Sequence, residues 1–155
     1  MRVYLLSVGE RMPGWMAQGF AEYRKRLAPW LPLELREIRP SRGKAPAPEQ
    51  SRIREAEALL AALPREGWAI ALDGRGSAWS SEQLAERLAA WRMGGRDVYL
   101  LVGGAEGLHA SVLARAQTRW SLGPLTLPHM LVRVLVAEQL YRAASLLAGH
   151  PYHRG

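Results

Sequence analysis

Two hydrophobic rhythms alternate along the chain. Nearly unbroken apolar runs predict buried strands at Val3 to Val8, stopped by Gly9, at Trp68 to Leu72, ended by Asp73-Gly74-Arg75-Gly76, and at Val98 to Val102, cut off by Gly103-Gly104. Leu33 to Ile38 alternates apolar with charged residues, as a half-exposed strand does. Between these runs the apolar spacing changes to three and four. A helix follows Pro13, with Trp15, Met16, Phe20, Tyr23 and Leu27 on its buried face, and good helix formers extend from about Glu49 to Leu63. Ser80 or Ser81 caps a third helix running to Trp91, with Glu82 and Glu86 in its early turns. A shorter helix is expected over Ser111 to Gln117, and a long one starts near Pro128 and ends before Gly149 and Pro151. Strands separated by helix-length segments predict an α/β domain with a mainly parallel sheet flanked by helices on both faces. Nothing in the pattern divides residues 1–155, so a single domain is expected.

The 155 residues suffice for one core. No apolar run approaches the roughly 18 residues a membrane span needs. The chain has no cysteine, which excludes disulfides, thiolate metal sites and a cysteine nucleophile. A soluble, cytoplasmic protein without a metal is the expectation. Charge changes the picture further. Lys and Arg number 21 against 14 Asp and Glu, a net +7, and only Lys25 and Lys44 are lysines. Guanidinium makes bidentate contacts with phosphate and stacks on bases, so the excess points to nucleic acid, although a compositional bias towards Arg would raise the charge equally well. Arg2, Arg11, Arg24, Arg42, Arg75 and Lys44 are candidate RNA contacts on charge alone. Pro40 to Pro48 forms a basic, Pro-rich loop too short to link domains.

In open α/β sheets ligands sit beyond the C-terminal strand ends. That rule selects Leu72-Asp73-Gly74, Val102-Gly103-Gly104 and the segment around Leu122 to Leu127. Three glycines in Val102 to Leu108 either make a tight turn or let backbone approach a ligand. The string lacks both the Lys-Ser/Thr of a phosphate-cradling P-loop and the spacing of a dinucleotide fingerprint. Trp120 to His129 breaks regular spacing at Gly123-Pro124, leaving an apolar loop whose backbone groups suit a flat heterocycle or simply make a buried connection. In the last helix Glu138 and Arg142 are spaced for an ion pair, and residues 130–137 are apolar almost all round. Such a helix is either central or covered by a second copy of the chain. The end, His150-Pro151-Tyr152-His153-Arg154-Gly155, is either a solvated tail or a set of stacking, cationic and proton-transfer groups.

Leu101 to Leu108, Ser121 to His129, Val132 to Ala143 and His150 to Arg154, with Leu6-Ser7-Val8-Gly9 and Trp15 to Tyr23, resemble the ribosomal RNA large subunit methyltransferase H family over the whole length. The resemblance implies a SPOUT-type α/β-knot whose C-terminal segment forms a trefoil knot. It also implies a homodimer transferring a methyl group from S-adenosylmethionine to N3 of a pseudouridine in helix 69 of 23S rRNA, on assembled ribosomes. Leu72, Gly103, Leu122, Gly123, Pro124, Leu125, Thr126 and Leu127 would hold the methyl donor. His129, Arg133, Tyr152, His153 and Arg154 would face the RNA, with tail residues coming from the other subunit. N3 must lose a proton before it attacks, so Arg133 or Arg154 would stabilise the developing anion. His153 would take the proton in preference to His129, because a tail residue can close after RNA docks. Two other readings compete: a ribosome-associated RNA-binding protein without catalysis, and an ordinary open α/β enzyme using a nicotinamide cofactor. The latter lacks its glycine fingerprint after the first strand, where only Gly9 stands.

Overall fold

The computed structural model describes residues 1–40 and 47–154, so the candidate contacts Arg42 and Lys44 and the terminal Gly155 lie outside the described residues. Five strands, β1 (Val3–Val8), β2 (Leu33–Ile38), β3 (Trp68–Ala78), β4 (Val98–Val102) and β5 (Thr118–Ser121), alternate with five helices. These are α1 (Gly14–Leu27), α2 (Pro48–Ala62), α3 (Ser81–Gly94), α4 (Ala110–Arg115) and α5 (His129–Ala148), and a 3-10 turn over Pro151–Arg154 follows. The sheet is parallel in every pair, in the order β2-β1-β4-β3-β5.

Side chains alternate across the sheet, and each half of that alternation has its own cover. Val3, Leu5, Ile70, Leu100, Val102 and Trp120 pack with Phe20 and Leu27 of α1, Leu84 and Leu88 of α3, and Val136 and Leu140 of α5. Tyr4, Leu6, Val8, Ala71, Tyr99 and Leu101 pack on the other face with Ala56 and Leu59 of α2 and Val112 and Leu113 of α4. Both faces of β1 and β4 are therefore buried, which is why those strands read as continuous apolar runs. Ser80 caps α3 with a capping box completed by Gln83.

Three expectations are corrected. β3 does not end at Asp73: Leu72 and Ser77 both pair with Trp120, so residues 73–76 bulge out and pairing resumes to Ala78. β5 carries too short and too polar a pattern to register as a strand, and the helix before it stops at Arg115. Trp15, expected on the buried face of α1, is 65% exposed, because the stripe that packs runs through Met16, Phe20 and Leu27 and Trp15 stands a full 100° step to its side.

A guanidinium lies fully inside this frame. Arg133 of α5 is fully buried, and its Nε donates to Ser7 Oγ at 2.9 Å, its Nη1 to Glu37 Oε2 at 2.7 Å and its Nη2 to the Gly9 carbonyl at 3.0 Å. It joins the start of α5 to the ends of β1 and β2. Arg133→Ala takes the donors from the buried Ser7 Oγ and Gly9 carbonyl and leaves the exposed Glu37 to water, and a stranded buried acceptor costs about 1–3 kcal/mol. Urea unfolding should show a loss of that size, and a loss below about 1 kcal/mol would contradict the structural role.

Candidate active site at the strand ends

The C-terminal ends of the neighbouring strands β4, β3 and β5 open on one cleft of about 360 Å³. Leu72, Gly103 and all six residues from Leu122 to Leu127 line it, so the three segments singled out by strand topology meet in one place. Asp73, Gly74, Trp120, His129 and Val132 complete the wall. Leu72, Leu122, Leu127 and Val132 supply apolar surface, while exposed backbone of the 122–127 loop supplies N–H and C=O groups.

Gly103 is required by close approach. A Cβ there would lie 2.7 Å from the Gly107 carbonyl group and 3.0 Å from the Leu108 nitrogen. Only a bare backbone lets residues 103–107 fold back on themselves, with the Gly107 N–H donating to the Gly104 carbonyl at 3.0 Å. On the opposite wall Ser121 Oγ accepts from the Gly123 N–H at 3.1 Å and fixes the turn into the apolar loop. Asp73 accepts from the Arg75 N–H through Oδ1, whereas its Oδ2 is buried and has no partner among the described residues. An unpaired buried carboxylate oxygen on a cleft wall is a free acceptor for a donor group.

His129 opens α5 at the rim. Burial, and then the positive charge of Arg133, hold its imidazole below the usual histidine range, so it is neutral and able to accept a proton at physiological pH. Gly9 makes this packing possible: its φ is +124°, and a Cβ would meet Met130, His129 and Arg133 at 3.0 to 3.4 Å.

Other predicted site residues stand elsewhere. Arg133 points inward and all three of its nitrogens are engaged, so it positions its neighbours and does not face RNA. The tail is an ordered 3-10 turn packed on α5. The Tyr152 hydroxyl donates to Glu138 Oε1 at 3.1 Å, and the ring lies 4.4 Å from that of Tyr141 and under the Arg142 guanidinium. Burial, then Tyr23 and Glu138, push its phenol far up. Glu138 and Arg142 form the expected ion pair at 2.7 Å. His153 is half-buried with Nδ1 unpartnered among the described residues, and Arg154 is exposed. Glu138 follows His129 by nine residues, about 13 Å along the helix, so within one chain the tail sits away from the cleft. Asp73 lies in a segment the strand-end rule selected, but nothing in its local pattern, or in that of Glu55, marks a carboxylate oxygen as buried.

Among the described residues no group of three or more His, Asp or Glu is placed to hold a metal, and no helix is long and apolar enough to cross a membrane. A parallel sheet with helices on both faces and a backbone-lined cleft at its strand ends defines an open α/β domain whose cleft lies where such folds place their ligands. A family model described as "Predicted SPOUT methyltransferase" matches residues 1–153. The chain belongs to the SPOUT methyltransferase family and is an enzyme of that class. It is 57% identical over 155 residues to Ribosomal RNA large subunit methyltransferase H of Xanthomonas oryzae pv. oryzae (strain PXO99A), covering 99% of each chain. It is 56% identical over 156 residues to the protein of the same name from Xylella fastidiosa (strain 9a5c), covering 100% of this chain and 99% of the relative. Among solved structures, "a probable methylase family protein from Haemophilus influenzae Rd KW20" matches with a TM-score of 0.53 at 14% identity, over 97% of this chain and 69% of that one. A ribosomal RNA small subunit methyltransferase E from Neisseria gonorrhoeae, bound to S-adenosyl methionine, matches with a TM-score of 0.50 at 12% identity, over 95% and 66%. These structural likenesses show a shared fold.

The Glu55 carboxyl packs under the glycine turn, with Oε2 3.1 Å from where a Gly104 Cβ would be. Burial, and then Glu106, raise its pKa, so the folded state binds the proton more tightly than the unfolded chain and loses stability as pH rises through that window. Glu55→Gln should therefore raise the melting temperature at pH 7 and give no gain near pH 4. An equal gain at both pH values would exclude ionisation as the cause.

Proposed function

We propose that the chain methylates N3 of a pseudouridine in helix 69 of 23S rRNA, using S-adenosylmethionine and acting as a cytoplasmic homodimer on assembled ribosomes. Full-length identity to proteins named for large-subunit rRNA methylation supports the substrate class. The observation that carries the cofactor is the cleft itself, where a close-packed glycine turn, an apolar backbone loop and the unpaired Asp73 Oδ2 converge.

The residues present fit S-adenosylmethionine. Leu72, Leu122, Leu127 and Val132 would flank its adenine, backbone of 122–127 would bond the ring edge, and Asp73 would accept from a hydroxyl or the amine. When bound, S-adenosylmethionine supplies the activated methyl group. The chain's own task is to place N3 in line, keep water out and remove the N3 proton. His129 suits that last step: it lines the cleft, and burial and Arg133 keep it neutral. This choice is preferred to His153, which within its own chain is held on α5 through Tyr152 and Glu138 and would reach a cleft only from a second copy. Arg133 positions His129, leaving Arg154 as the exposed cation near the tail.

Dimerisation answers two features of the isolated chain. Leu125 is 78% exposed and Trp15 65%, and Met130, Leu131, Val134 and Leu135 at the start of α5 are only half-covered. Gly19, one turn from Trp15, brings α1 against Val134, so this apolar surface spans both helices. A second copy seated there would cover it and bring its own Tyr152, His153 and Arg154 to the RNA side of the cleft. The C-terminal segment would thread through a loop to form the trefoil knot.

Nucleosides from rRNA of a deletion strain, analysed by mass spectrometry, should lack a methylated pseudouridine. Its persistence would overturn the assignment. Calorimetric titration should show saturable S-adenosylmethionine binding that Gly103→Val abolishes, the added side chain colliding with the Gly107 backbone. In single-turnover assays across pH, His129→Ala should slow methylation about a hundredfold or more and remove the acid limb of the profile. His153→Ala should weaken RNA binding and leave that limb in place. The opposite pattern would restore His153 as proton acceptor.

A further inference from the structure

At the other end of the same strands lies a groove that the cleft chemistry does not use. Two adjoining hollows of about 480 and 400 Å³ share Arg87 and Thr118. Arg87, Ala90, Trp91 and Gly94 form one stripe of α3 and make the wall, and Trp68, Val98 and Thr118, the first residues of β3, β4 and β5, make the floor. The second hollow runs past Trp79 and Arg119 to Arg75, beside the bulge that edges the cleft. Val98 and Val102 of β4 mark the two ends, roughly 13 Å apart.

The lining is specific in kind. Trp68 and Trp91 pack on one side against the core, make no ring contact among the described residues and line the first hollow, so the part of each indole that faces the hollow is offered to a planar ligand. Trp79 differs, with Trp120 stacked on it at 5.1 Å and the Arg87 guanidinium over it at 4.1 Å. Arg87, Arg96 and Arg119 form no ion pair among the described residues, and no acidic residue lines either hollow. Asp73 engages only Arg75, from the cleft side. Thr118 Oγ1 and Trp79 Nε1 are buried without partners, leaving a hydroxyl and an indole N–H unbonded in the groove's walls. Unpaired guanidinium groups beside free indole faces match phosphate and base together.

We propose that this groove is a second RNA site, taking unpaired nucleotides with a base against Trp68 and Trp91 and the backbone phosphates on Arg87, Arg96 and Arg119. The inference rests on the reading that the chain acts on RNA, and it adds a contact outside the methylated nucleotide. The groove leads from the cleft rim along the free edge of β5, so an RNA strand entering the cleft has a path to follow.

Fluorescence anisotropy with a labelled single-stranded oligouridylate, a duplex RNA of equal length and inorganic polyphosphate tests this on the full chain. Trp91→Ala should weaken oligouridylate binding about tenfold and leave polyphosphate binding unchanged. Arg96→Ala, at an exposed position, should weaken both and lower the salt dependence by about one phosphate contact. S-adenosylmethionine binding should stay at the wild-type level in both variants. Unchanged oligouridylate binding in both would overturn the proposal, as would a tighter grip on duplex than on single strand. A change of oligomeric state in Trp91→Ala would also overturn it, by giving the groove to a second copy. Loss of S-adenosylmethionine binding by the wild type would instead count against the methyltransferase chemistry and leave the groove to be judged on the RNA data alone.

Discussion

The arrangement of this molecule turns on a guanidinium placed where water cannot reach it. Arg133 enters the face of the sheet that otherwise holds Val3, Leu5 and Val102, and it is tolerated there because every nitrogen it carries finds an oxygen. A buried charge contributes little net stability over a well-packed apolar side chain, but it penalises heavily any arrangement that leaves it unpaired. The pairing therefore sets position. It ties the N-terminal part of α5 to the ends of β1 and β2, and so fixes where His129 and Val132 meet the cleft. Gly9 completes the constraint, because no larger residue permits that turn of the chain so close to α5.

From this anchor the two ends of the sheet diverge in chemistry. At the C-terminal ends the surface is mostly backbone, shaped by a glycine turn and an apolar loop, with a carboxylate oxygen and a neutral imidazole as its reactive polar groups. At the N-terminal ends of β3, β4 and β5 it is side chains, indoles and guanidiniums. Backbone recognises a small ligand by shape and hydrogen-bonding edge, whereas stacking planes and cations recognise a polymer of bases and phosphates. The excess of arginine over lysine acquires a structural meaning in that division: arginine serves in this fold both as an internal brace and as a surface cation.

Much of the fold was legible in the residues. Continuous apolar runs identified β1 and β4, three- and four-residue spacing located α1, helix formers and start and stop signals located α2, α3 and α5, and the rule of strand ends chose the segments that form the cleft. What escaped has a physical cause in each case. β5 is an edge strand of four residues whose burial depends on Trp120 reaching across to Trp79, a contact no local pattern encodes. β3 resumes after its bulge because β5 is there to pair with it. The resemblance turned Arg133 toward the RNA, and nothing local to it tells of Ser7, more than a hundred residues earlier in the chain, which holds it inside. Tail order depends in the same way on Glu138, itself engaged by Arg142.

By itself, then, the sequence determined the period of each element, the alternation of strand and helix, the positive charge and the places where the chain turns sharply. These depend on neighbours within a few residues, and local sterics and solvation enforce them. Only the tertiary structure decided which ionisable groups lie inside, that His129 rather than His153 borders the cleft, and that Trp68, Trp91 and three unpaired arginines share one groove. Those outcomes depend on the dielectric and the partners that distant segments bring, and a side chain acquires both only when the sheet closes around it.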